Sequence, residues 1–275
     1  MKVVDSPAMA EIDRLAQERF LVPQAVLMED AALGAYRALR EKVWCGSTPA
    51  GEIVFVAGKG NNGGDALVMA RRCCLEGKRE LLIVLGAGAP RAGTLAATHL
   101  EILRALGVEV VDFQERAAVV RRRLARCDWI VDGLLGTGLR GEARGSIGEL
   151  ISAVNASRAQ TVAVDVPSGL GDSFRKGYPA VGACATLTIG LPKMCLYLPH
   201  ARGLCGRIHV VTGIFPVSPL SGRAQATSPQ NSRAKTSVEM IRRAEIPFID
   251  GSLRAEEMRA AARIPGSSWS STGPR

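Results

Sequence analysis

EIVFVAGKGNNGGD, residues 52–65, decides how the rest of the chain is read. After Glu52 the residues are apolar without alternation, the pattern of a strand buried on both faces. They run straight into a glycine-rich turn, and the spacing beyond it predicts a helix beginning near Asp65. The same unit recurs on the C-terminal side. ELLIVLG (80–86) reads as a strand followed by a helix across 92–106, and VEVVDF (108–113) as one followed by a helix across 115–126. DWIVDGLLG (128–136) leads through a loop to a helix near 146–156, and TVAVDVPSG (161–169), ATLTIG (185–190) and RIHVVTG (207–213) complete the strands. Such alternation predicts an α/β fold whose mainly parallel central sheet is covered on both faces. Upstream, Met9, Ile12, Leu15 and Ala16 fall on one helical face, and Pro23 divides the segment from Ser6 to about Arg40 into two helices.

Composition narrows the class. With 47% apolar and 22% charged residues in 275, a packed core is expected and global disorder is excluded. Runs such as LLIVLGAGA are too short to span a bilayer, so no membrane role is expected. The net charge of +9 is unevenly placed: residues 217–275 hold nine Lys/Arg against five Asp/Glu. No basic stripe with interleaved aromatics is present, which argues against nucleic acid. Arg121, Arg122, Arg123 and Arg126 read as a solvated helix face. Seven cysteines, an odd count without C-x-x-C, suit a reducing compartment. The first twenty residues lack the apolar core of an export signal, so the cytoplasm is expected. Residues 1–216 read as one domain, and 217–275, rich in Ser, Ala, Pro and Arg, as a poorly ordered basic tail.

In an open parallel sheet, ligands sit beyond the carboxyl ends of the strands, and three such ends are unusual here. Gly58, Gly60 and Gly63 form G-x-G-x-x-G between strand and helix, but the next strand ends Leu85-Gly86-Ala87-Gly88. It lacks the acid that holds a ribose, which disfavours ordinary dinucleotide binding for hydride transfer. The glycines still admit an anion to a helix N-terminus, Asn61 and Asn62 add amide groups, and Asp65 reads equally well as an N-cap. Asp132 opens the loop DGLLGTGLRG (132–141), and Asp165 opens DVPSG (165–169). Carboxylates inside apolar strands are costly unless paired or hydrogen-bonded, so two at comparable strand ends point to chemistry. Oxygens from Asn62, Asp132 and Ser168 suit a hard cation, because no imidazole or thiolate lies near them in the pattern.

Taken together and in order, GKGNNGGDALVMARR, DGLLGTGL and DVPSGL resemble the NAD(P)H-hydrate epimerases, and LMED (27–30) and GLPK (190–193) fit as well. The resemblance runs from about residue 5 to 216. Asp30 stands where the family commonly has Asn, and Ala66 where Gly is common. The resemblance implies a three-layer α/β/α Rossmann-like sandwich, often a homodimer. It implies interconversion of the R and S forms of hydrated NADH and NADPH, coupled to a separate dehydratase, with one potassium ion per subunit. By position, Asn62, Asp132 and Ser168 would be the potassium ligands. The substrate would lie along Asn61, Asn62, Gly63, Gly64 and Asp65, and along Gly136, Thr137, Gly138, Leu139, Arg140, Gly141 and Glu142, touching Asp165. Asp165 is the expected catalytic acid/base, and Lys193 a candidate for neutralising phosphate. Two other readings share these residues: a binding protein that keeps the pocket without turnover, and a surviving half of a bifunctional epimerase/dehydratase.

Overall fold

The computed structural model describes residues 3–212; the boundary at 216 and the tail 217–275 lie outside the described residues. Strands β1 (Ile53–Ala57), β2 (Leu81–Leu85), β3 (Glu109–Asp112), β4 (Trp129–Gly133), β5 (Gln160–Val164), β6 (Ala185–Ile189) and β7 (Arg207–Val211) form one sheet. Its order is β3-β2-β1-β4-β5-β6-β7, and every neighbouring pair is parallel. The helices are α1 (Ser6–Arg19), α2 (Gln24–Ala38), α3 (Asn61–Leu75), α4 (Leu95–Ala105), α5 (Phe113–Leu124) and α6 (Gly145–Asn155).

Strand alternation sorts the core into two layers. Ile53, Phe55 and Ala57 face a cluster with Met28, Ala32, Leu67, Met69 and Leu100, from α2, α3 and α4. Val54 and Val56 face the opposite one, with Val120 and Leu124 of α5 and Leu150 and Ile151 of α6. Both sets are fully buried because both faces of the sheet are covered, which is why the strands read as unbroken apolar runs. The three-layer expectation holds.

One boundary differs from the sequence reading. Helix α3 begins at Asn61, with Gly60 at its N-cap, so Asp65 lies inside the helix and caps nothing. The glycine run looked like a loop because glycine is a poor helix former. It is helical because the backbone has to pass close to its neighbours. A Cβ on Gly63 would sit 2.0 Å from the carbonyl oxygen of Gly58, and one on Gly58 would sit 1.9 Å from that of Leu134.

The chain runs outward from β1 through β2 to β3, then crosses back to β4 beside β1. In an open parallel sheet, ligands bind at such a reversal, beyond the carboxyl ends of the two central strands. Here those ends are the Gly58 and Leu134 loops, which touch.

Candidate active site

A cleft of about 730 Å³ opens at this reversal, lined by Gly58–Gly63 and Asp65 on one side and Leu134–Arg140 on the other. Asp165, Ile189 and Lys193 form its floor toward β5 and β6, and α1 and α2 contribute Ser6, Met9, Asp13, Gln17, Gln24 and Leu27.

Asp132 ends up deep beneath the loops, 1% exposed. Its Oδ1 accepts from Ser168 Oγ at 2.6 Å and from Leu134 N at 3.2 Å, and its Oδ2 accepts from Ser168 N at 2.8 Å. The Ser168 hydroxyl in turn accepts from Leu135 N at 2.8 Å, and Asn62 Nδ2 donates to Leu135 O at 2.9 Å. The three residues read as cation ligands therefore converge on one loop, 134–135. Burial pushes the Asp132 carboxyl up to about 6, against the opposing pull of those hydrogen bonds. Among the described residues no Lys, Arg or His pairs with it, and the buried Oδ1 of Asn62 has no partner.

Asp165 follows the last residue of β5 and takes φ +65°, the left-handed region that Asp tolerates better than most side chains. Its backbone N–H still reaches Leu187 O at 2.9 Å, and the turn swings its carboxylate toward β6. There Oδ1 accepts from Ile189 N at 3.1 Å and from the ammonium of Lys193. Lys193 is 1% exposed, and it also donates to Ile189 O. This corrects the sequence reading of Lys193: an ammonium buried against Asp165 is committed to a carboxylate and is withdrawn from phosphate. The loop holding it is fixed from the N-terminus, since Val4 N donates to Pro192 O at 3.0 Å and Met194 N to Val4 O at 2.7 Å.

The first turn of α3 carries no side-chain cap, so its free N–H groups face the cleft. Lys59 and Arg140, both exposed, stand at its rim. Gln24 Nε2 donates to Asn61 Oδ1 at 3.3 Å, joining α2 to this edge. Of the expected substrate contacts, Asn61, Asn62, Gly63, Asp65, Asp165 and residues 136–140 line the cleft. Gly64 lies behind it, where a Cβ would sit 2.6 Å from Met28 Cε, and Gly141 and Glu142 turn away to Ser173 and Arg144.

The wall made by α1 and α2 was missed in the sequence, although one signal was there. Asp13 lies four residues after Met9 and three before Ala16, both buried, so an acid occupies the helix face that packs inward. Burial pushes Asp13 up to about 6, offset by Lys193 and reinforced by Asp165. Asp65 is pushed well above the usual carboxylate range by burial first, then by Asp165.

Comparison with known proteins points the same way. The family described as "YjeF-related protein N-terminus" matches residues 24–195. An NAD(P)H-hydrate epimerase of Rhodopirellula baltica is 37% identical over 203 residues, 74% of this chain and 80% of that protein. One from Pirellula staleyi is 33% identical over 73% of this chain and 87% of its own length. A bifunctional NAD(P)H-hydrate repair enzyme, Nnr, of Moorella thermoacetica is 35% identical over 76% of this chain, which spans 40% of that longer protein. The crystal structure of yeast YNL200c superposes with a TM-score of 0.61 at 24% identity, over 71% of this chain and 83% of that one, and shows the same fold.

Proposed function

The chain belongs to the NAD(P)H-hydrate epimerase family, the YjeF-related N-terminal module, and from that premise we propose how its cleft works. Its activity is the epimerisation of hydrated NADH and NADPH, an isomerase reaction of nicotinamide repair coupled to a dehydratase. The observation that carries the reading is the meeting of three strand-end loops at the sheet reversal around one buried Asp165–Lys193 pair. The uncapped start of α3, with Lys59 and Arg140 at the rim, suits the cofactor's phosphates. The hydrated ring then belongs at the Asp165 end, where the carboxylates cluster.

The substrate carbon bears a hydroxyl next to a ring nitrogen. Protonation of that hydroxyl by a carboxylic acid releases water, and the nitrogen lone pair closes a C=N⁺ bond. Return of water to the other face, with a carboxylate taking its proton, gives the opposite epimer. Asp165 is the acid/base in this scheme: Lys193 and Ile189 N–H hold Oδ1, leaving Oδ2 for the ring. The developing cation is stabilised by the negative charge around it.

Potassium is the cation we propose for Asn62, Asp132 and Ser168. The fit rests on all-oxygen donors, on the orphaned Asn62 Oδ1 and on a buried Asp132 without a cationic partner. Such an ion would supply positive charge that keeps Asp132 ionised and the 134–135 loop in place. A homodimer is the assembly we propose, to be checked by sedimentation equilibrium. No helix among the described residues is long and apolar enough to cross a membrane.

The deciding experiment gives the purified protein one isolated epimer of hydrated NADPH and follows the R/S ratio by proton NMR, with and without potassium. Equilibration far above the spontaneous rate is expected. A spontaneous rate from folded protein would leave a binding protein in its place.

A further inference from the structure

Inversion at one carbon needs proton transfer on both of its faces: water leaves from one and returns to the other. Asp165 is poorly suited to serve both, because Oδ1 is locked by the Ile189 N–H and the Lys193 ammonium. A second group has to come from another wall of the cleft. The lining offers two further carboxyls, Asp65 on α3 and Asp13 on α1, and among the described residues neither side chain makes a hydrogen bond to the protein. Both lie close enough to Asp165 and Lys193 to sense their charge.

We infer that Asp13 of α1 is the second proton-transfer group, paired with Asp165 across the space that holds the reacting carbon. The inference rests on the epimerase reading above. Three features separate Asp13 from Asp65. First, α1 is held over the cleft by a device tied to the chemistry: Val4 pairs with the segment that carries Lys193 and leads directly into α1. Second, α1 packs through its own small cluster, Met9, Ile12 and Ala16 with Leu27, so its polar inward residue has no structural partner to satisfy. Third, burial pushes Asp13 up to about 6, close to an operating pH, whereas burial and Asp165 push Asp65 well above the usual carboxylate range.

The proton balance closes. The protonated member of the pair donates to the hydroxyl, the C–O bond breaks, and water departs as the C=N⁺ bond forms. Water then adds to the opposite face and gives a proton to the other carboxylate. No oxidant or reductant is needed, and the pair has exchanged one proton, which solvent or the neighbouring carboxyls re-equilibrate. The two epimers use the pair in opposite directions.

Burial sets the Asp13 titration first, Lys193 and Asp165 are the charged groups that adjust it, and Asp65 senses Asp13 in turn, so its signature is a pH limb near 6. The test is the pH profile of kcat for wild type, Asp13→Asn and Asp13→Glu, with the Kd for NADPH as a non-reacting probe and thermal unfolding as a check of folding. Asp13→Asn is expected to lose 10²- to 10³-fold in kcat, keep Kd within threefold and lose the limb near pH 6. Asp13→Glu should recover at least tenfold of that loss with the limb displaced. An Asp13→Asn rate within threefold of wild type overturns the inference, as does an unmoved limb in Asp13→Glu, which serves even if the Asn variant fails to fold. An active wild type with an indifferent Asp13 removes this inference alone; an inactive wild type removes it together with the epimerase reading.

Discussion

Asp132 and Asp165 look alike in the sequence, each an acid at the end of an apolar strand, yet the fold gives them opposite surroundings. In the β4–β5 ladder Asp132 is level with Ala163. Asp165 therefore lies two residues further toward the carboxyl end, about 6–7 Å of strand. Asp132 stays inside the sheet, where neutral N–H and O–H donors bond it and no Lys, Arg or His among the described residues pairs with it. Asp165 has left the sheet, reaches the cleft and is paired with a buried lysine. A position two residues along separates an anchor that organises loops from a group that can handle protons.

The largest effect that would test this contrast is Asp165→Asn, which keeps the shape and removes the acid. Turnover is expected to fall about 10³-fold or more while Kd for NADPH stays within a few-fold. Comparable turnover in this variant would transfer the chemistry elsewhere in the cleft.

Removing the other half of the pair probes stability. Lys193→Met leaves the Asp165 carboxylate without its counter-charge, and urea unfolding should register a loss of about 2–3 kcal/mol. That is less than for a fully enclosed pair, because Asp165 keeps some contact with water. If Lys193 served only phosphate, stability would be unchanged and KM alone would rise.

The anchor has its own pH signature. With its carboxyl raised to about 6 in the folded state, Asp132 binds its proton more tightly folded than unfolded. Its contribution is therefore full below about pH 4 and is lost as pH rises through 6, by about 3 kcal/mol. A cation on Asp132 offsets that loss only where the group is ionised. Potassium should thus raise Tm at pH 7.5, have little effect at pH 5, and have none in Asp132→Asn. A potassium response that is the same at both pH values would detach the ion from this carboxylate.

Ser168→Ala is the mildest of these changes. It deletes one hydroxyl bond to Asp132 and the acceptor for Leu135 N, at a cost of about 1–3 kcal/mol in thermal unfolding. Its effect on kcat should be smaller than that of Asp165→Asn, since the hydroxyl acts through the loop.

Much of the site was legible because loops at strand ends carry their chemistry in short contiguous words. NNGGD, DGLLGTG and DVPS each name residues that end up within one cleft or just beneath it. What escaped was whatever depended on contact across long sequence separation. Lys193 read as a candidate for phosphate until the turn after β5 brought Asp165 to it, 28 residues away in the chain. Asp13 went unread in the sequence, because only the Val4 bridge that sets α1 against the cleft gives it a place in the site. The start of α3 escaped for a local reason: glycine propensity argued for a loop, and close backbone packing overrode it.

The sequence by itself determined the strand and helix alternation, the parallel sheet and the loops that carry the oxygens. Hydrophobic periodicity and glycine placement are local, and they act within a few residues. Only the tertiary structure decided which aspartate is buried as an anchor, which is paired to lysine, and which third acid joins them from α1. Those assignments depend on burial and on the charge of neighbours far away in the chain, quantities that exist only once the sheet is assembled and the N-terminal helix is docked.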